Sequence, residues 1–87
     1  MERKIVNIYV MKREHCNEND LENVANLLNN VLSDYKVIVR RCSLVVPNLL
    51  MIRVEVPFAK DVDTKAIEQT LLDKGFVWVK TELVVIK

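Results

Sequence analysis

The hydrophobic period of this chain switches from two to three-or-four twice over, and that double switch leaves few folds open to it. Over residues 4–12, Val6, Ile8 and Val10 fall on one side and Ile5, Asn7, Tyr9 and Met11 on the other, which predicts a strand rich in β-branched residues. Leu21, Val24, Ala25, Leu28, Val31 and Leu32 then recur at helical spacing, with asparagines over much of the remaining surface. Asn19, with Glu22 three residues on, has the form of a capping box and predicts where this helix starts.

Two β-rich runs follow, residues 35–46 and 49–56, and Pro47-Asn48 between them predicts a hairpin turn. In the second run Leu50, Ile52, Val54 and Val56 alternate with Met51, Arg53 and Glu55. A two-residue turn pairs Arg40 with Glu55 and a three-residue turn pairs Arg41 with it, so an arginine is expected opposite Glu55 either way. Asp61 or Asp63 is expected to cap a second helix, whose inner face is Val62, Ala66, Ile67, Thr70 and Leu71. Gly75 is placed to end that helix in a left-handed conformation, and residues 76–86 form a last strand, bent near Thr81-Glu82.

Two strand-helix-strand units joined through one hairpin, with right-handed crossovers, predict a ferredoxin-like split βαβ domain of the α+β class. The expected strand order is 4-1-3-2, with both helices on one face of an antiparallel sheet. A chain of 87 residues suits one domain, and with 51% hydrophobic and 29% charged residues its composition is that of a globular protein.

The other sheet face is predicted to be open and unusually apolar. It carries Ile5, Asn7, Tyr9 and Met11 beside Leu49, Met51, Arg53 and Glu55, and it gains Phe76, Trp78, Lys80 and Glu82 if Val77, Val79 and Leu83 point inward. The closing run Leu83-Val84-Val85-Ile86-Lys87 is β-prone and nearly uncharged on an expected edge strand, where natural proteins usually place charge or proline. A homo-oligomer or a protein partner is the expected occupant, reached through Tyr9, Met11, Met51 and Trp78 on the face or through Leu83 and Val85 at the edge.

Single-stranded nucleic acid is the alternative occupant, stacked on Tyr9 and Trp78 and neutralised by Arg53 and Lys80. Protein is favoured over it, because 13 basic against 12 acidic residues leave a net charge of only +1. A small-ligand regulatory domain at an oligomer interface is a further alternative, which rests on the fold alone.

Enzymatic chemistry finds little support in the residues. One glycine in the whole chain excludes the glycine-rich phosphate loops and the glycine-bearing signatures of RNA-binding sheets. His15-Cys16, beside Glu14, sits where a helix N-terminus could activate a thiol, but ordinary loop residues explain the pair better. His15, Cys16 and Cys42 are too few and too irregularly spaced for a structural zinc site. The acidic residues Glu18, Asp20, Glu22, Asp61 and Asp63 are expected to serve helix N-termini. No catalytic residue, metal or cofactor is therefore expected.

Two cysteines make no disulfide framework, so free thiols in a reducing compartment are expected. Residues 3–11 make a poor signal peptide, with Arg3 and Lys4 leading into an apolar run broken by Asn7, and no apolar run approaches membrane-spanning length. A cytoplasmic location without membrane contact is the expectation.

From Asp61-Val62-Asp63 through Ile67 and Gly75 to Glu82-Leu83-Val84-Val85, the order of acidic, apolar and glycine positions resembles a small archaeal family of uncharacterised ferredoxin-like proteins. The likeness covers about the last third of the chain. Where that family has a glycine-bearing segment before the second strand, this chain has Asp34-Tyr35-Lys36-Val37. The resemblance implies the split βαβ fold and symmetric oligomers. It implies no activity and transfers no site residue.

Overall fold

The first strand, β1 (Arg3–Met11), lies inside the sheet because both of its edges find partners. The computed structural model describes residues 2–86, so Lys87, the last residue of the expected edge run, lies outside the described residues. Helix α1 spans Glu18–Leu28, β2 Lys36–Cys42, β3 Leu49–Val56, α2 Thr64–Asp73 and β4 Trp78–Ile86. The four strands form one antiparallel sheet ordered β2-β3-β1-β4, which is 4-1-3-2 when read from the β4 edge.

One face of the sheet holds the core. Val6, Ile8 and Val10 of β1 oppose Val54, Ile52 and Leu50 of β3, as period two requires, and all are essentially buried. Leu21, Val24 and Leu28 of α1 and Ile67 and Leu71 of α2 join the same cluster, so both helices cover this face. The architecture is α+β, with two helices over an open four-stranded sheet. Among the described residues no helix is long and apolar enough to cross a membrane.

The helix ends show how local chemistry sets the boundaries. The α1 N-cap is Asn17 rather than the expected Asn19: Asp20 N–H donates to Asn17 Oδ1 at 3.1 Å, and Asp20 Oδ2 accepts from Asn17 N–H at 2.9 Å. The stretch Asn17-Glu18-Asn19-Asp20-Leu21-Glu22 offers the capping pattern at two positions two residues apart. The earlier one wins because Asp20 also meets Lys12 Nζ, at 2.7 Å, at the end of β1. Burial pushes the Asp20 carboxyl upward in pKa, but Lys12 and the Asn17 N–H outweigh it and hold the group below its ordinary range. Asp63 caps α2, its side chain accepting from Ala66 N–H at 3.0 Å, and Gly75 follows the helix at a φ of 100°.

The hairpin departs from expectation. Instead of a tight turn at Pro47-Asn48, residues 43–48 form a six-residue connection, in which Ser43 Oγ accepts from the Val45 and Val46 N–H groups. A bulge between Val37 and Val39 shifts the register further. Lys36 therefore lies opposite Glu55, while Arg40 and Arg41 oppose Ile52 and Met51, so the expected arginine opposite Glu55 is overturned. Arg3 supplies the guanidinium instead, reaching Glu55 Oε1 at 2.8 Å.

The expectation of free thiols is also overturned. Cys16 and Cys42 form a disulfide with their Cα atoms 5.7 Å apart. Cys42 opposes Leu50 and so turns toward the helix side, and Cys16 is drawn to the same place by the bond from its N–H to the Pro47 carbonyl, at 2.8 Å. With Lys12 N–H donating to the Asn48 carbonyl and the Asn48 amide donating to the Lys12 carbonyl, the base of the 43–48 loop is fixed on several sides.

The last strand begins two residues later than expected, at Trp78, and pairs with β1 without a break at Thr81-Glu82. Phe76 packs against the core instead of joining the open face, and Val77, expected to point inward, is exposed. The turn after Gly75 leads Phe76 under the helices before pairing starts.

Candidate functional site

Two surfaces emerge from this framework, the open sheet face and the free edge of β4. Opposed residues of paired strands share a face, so the register assigns the open face directly. Tyr9 stands between Met51 and Lys80, Met11 between Leu49 and Trp78, and Asn7 between Arg53 and Glu82. Four of the expected contact residues, Tyr9, Met11, Met51 and Trp78, are thus brought together, and so are the four expected for nucleic acid, Tyr9, Arg53, Trp78 and Lys80.

The face is less bare than period two alone implies. Asn7, at 8% exposure, is its only polar residue to be buried, and both ends of its amide are used: Arg53 Nε donates to its Oδ1 at 2.7 Å and its Nδ2 donates to Glu82 Oε1 at 3.1 Å. This side-chain chain crosses the middle of the sheet, where Ile5 is buried and Tyr9, Met11 and Met51 are half-buried. Of the four apolar contact residues only Trp78, at 43%, remains exposed. A hollow of about 280 Å³ opens beside them, lined by Asn7, Tyr9, Val39, Arg41, Met51 and Arg53.

Cations dominate the rim. Arg3, Lys36, Arg41, Arg53 and Lys80 share the face, because each opposes an open-face residue or, for Arg3, pairs with Glu55. The two carboxylates among them are already engaged, Glu55 by Arg3 and Glu82 by Asn7. The bond from Arg3, with its charge and that of Lys36, holds the Glu55 carboxyl below the usual carboxylate range. The sequence reading set Arg40 or Arg41 opposite Glu55 and missed Lys36, since the bulge that puts Lys36 at Glu55 and Arg41 at Met51 cannot be seen in a run of β-branched residues.

Leu83 and Val85 lie elsewhere. They oppose Val6 and Lys4 and so project to the helix side of β4, where they stay 43% and 44% exposed. The open-face and edge candidates are therefore on opposite faces of the sheet. Among the described residues the β4 edge has no strand beside it and no bulge, and carries only Lys80 and Glu82 as charges over Trp78–Ile86, but Glu68 of α2 caps it at its middle, its Oε2 accepting from the Thr81 N–H at 3.2 Å and from the Thr81 hydroxyl. The β2 edge differs: it is bulged and holds Lys36, Arg40 and Arg41.

The 43–48 loop adds a third apolar exposure that the sequence placed within a strand. Leu44 and Val45, at 93% and 88% exposure, stand at the tip of the disulfide-braced hairpin. As both sulfurs are joined, neither the Cys16 nucleophile nor a His15, Cys16 and Cys42 ligand set has a thiolate to offer. The acidic residues Asp20 and Asp63 are occupied as helix caps.

No protein-family model matches this chain, and no curated protein matches it.

Proposed function

We propose that this chain is a non-enzymatic assembly module on a ferredoxin-like split βαβ scaffold, joined to its partner through the free edge of β4. The reading rests on the contrast between the two sheet edges. β2 carries a bulge and three cations, two devices that discourage strand addition, whereas β4 is regular and long and, past Thr81, whose N–H is held by Glu68, runs apolar to its end. The exposed side chains of Trp78, Leu83, Val85 and Ile86 flank that edge and would be covered by an added strand.

Light scattering at micromolar concentration is expected to give a mass above one chain, and Val85→Lys is expected to return it to one chain with the fold retained by circular dichroism. A wild-type mass of one chain at that concentration sinks the reading.

A second reading, single-stranded nucleic acid on the open face, is favoured by one observation: Lys80 opposes Tyr9, Arg41 and Arg53 line the same hollow as Tyr9, and the neighbouring Glu82 is engaged by Asn7. Oligothymidylate should quench Trp78 fluorescence at low salt. If two or three cations meet phosphates, log affinity should fall with log salt at a slope of about −2. A flat titration at low salt removes this reading.

A further inference from the structure

We infer that the hollow on the open face binds a phosphate monoester carrying one small ring, with the phosphate held by Arg41 and Arg53 and the ring laid against Tyr9, Met51 and Val39. This goes beyond the assembly reading and does not depend on it, since the hollow lies on the sheet face and the assembly surface is the β4 edge.

The strand register builds the hollow. Val39 opposes Arg53, which opposes Asn7, and in the adjoining row Arg41 opposes Met51, which opposes Tyr9. Val39 and Asn7 are short beside Arg41, Met51 and Tyr9, and a hollow of about 280 Å³ opens among these side chains. Its lining has two halves, apolar at Val39, Met51 and the Tyr9 ring, cationic at the two arginines. Arg41 lies diagonally across from Arg53, a spacing of roughly 7–8 Å at the Cβ atoms, which long side chains can close onto one ligand.

Arg53 is oriented in advance. Its Nε donates to Asn7 Oδ1 at 2.7 Å, and the buried Asn7 is anchored in turn by donating from Nδ2 to Glu82 Oε1 at 3.1 Å. Both ends of a buried amide thus serve to aim one exposed guanidinium, whose terminal nitrogens have no partner among the described residues. Holding that side chain in place lowers the entropy cost of binding. Arg41 likewise makes no ion pair among the described residues.

Charge and volume set the class of ligand. Two uncompensated guanidiniums match a phosphate monoester, which carries about −1.5 to −2 at neutral pH and offers oxygens to both forks. A carboxylate leaves one of the two charges unmet. The acids of this face do not compete, because Glu55 is held by Arg3 and Glu82 stands on the far side of Asn7 from Arg53. A cavity of about 150 Å³ suffices for benzene, so the hollow takes one ring together with its phosphate.

Phenyl phosphate is the probe for this class. Calorimetric titration should show one site, with inorganic phosphate and phenol each weaker by roughly tenfold or more, since each meets only half of the lining. Arg41→Gln and Arg53→Gln should each weaken phenyl phosphate by about tenfold or more at an unchanged circular dichroism spectrum, both side chains being exposed. Arg53→Lys, which keeps the charge but gives up the fork, should weaken it as well.

No binding of phenyl phosphate, or binding indifferent to all three substitutions, overturns the site. Benzoate bound as tightly as phenyl phosphate overturns the ligand class. An oligothymidylate with a 5′-hydroxyl that binds and is not displaced by phenyl phosphate overturns the inference and leaves the nucleic-acid reading standing. The light-scattering mass decides the assembly reading separately.

Discussion

Replacing both cysteines by serine, Cys16→Ser with Cys42→Ser, is expected to destabilise the protein by about 3.5 kcal/mol, the chain-entropy figure for a cross-link of this length. The bridge joins residues separated by 26 positions, so it removes a large set of open conformations from the unfolded chain. For a protein of this size the midpoint of thermal unfolding should fall by roughly 15–25 °C, and adding a dithiol reductant to the wild type should reproduce the fall. The loss should act mainly on the unfolded state, because Lys12, Asn48 and Pro47 continue to hold the loop base by hydrogen bonds. A melting curve indifferent to reductant would mean that the two sulfurs are not joined in solution.

A loss of about 3–4 kcal/mol is expected for Ile8→Ala, within the range for removing a buried branched side chain. Ile8 is fully buried at the midpoint of an inner strand, with Ile52 opposite it on one side and Thr81 on the other. Strands and helices confine it on every side, so its surroundings cannot close over the cavity. Urea unfolding should show a lower midpoint at an unchanged slope. A loss under about 1 kcal/mol would place Ile8 outside the packed core. As the side chain faces away from the open face, any change in assembly should follow stability alone.

Much of the architecture is legible from period alone. Val6, Ile8 and Val10 against Leu50, Ile52 and Val54 announce two facing strands, and Asp63 and Gly75 mark both ends of the second helix, because each uses chemistry local to its own turn. What escaped depends on contacts distant in sequence. Residues 37–39 are Val, Ile and Val, three β-branched side chains with no alternation, so nothing marks the bulge that slides Lys36 to Glu55. Pro47-Asn48 is a strong turn signal, yet the turn is wider because Ser43 Oγ gathers two amides from the far side of the loop. The cysteine pairing needs both the side to which Cys42 turns and the path of the chain before α1. The candidate face was read with its right central members, Tyr9, Met11, Met51 and Trp78, but its cover was not. Asn7 looks like an ordinary polar interruption until Arg53 and Glu82 are known to flank it.

The bulge in β2 bears on how large an assembly can become. A subunit with two mating edges polymerises, since each addition presents a fresh edge to the next and growth has no natural end. Here the β2 edge, kinked at Val37–Val39 and lined by Lys36, Arg40 and Arg41, carries two devices that discourage strand addition. In the proposed assembly through β4, both outer rims of a two-copy sheet would be β2, whose bulge and cations discourage a further strand. Straightening that rim, by deleting the bulged Ile38 and neutralising its cations, should leave it open to strand addition, read as a rise in mass by light scattering.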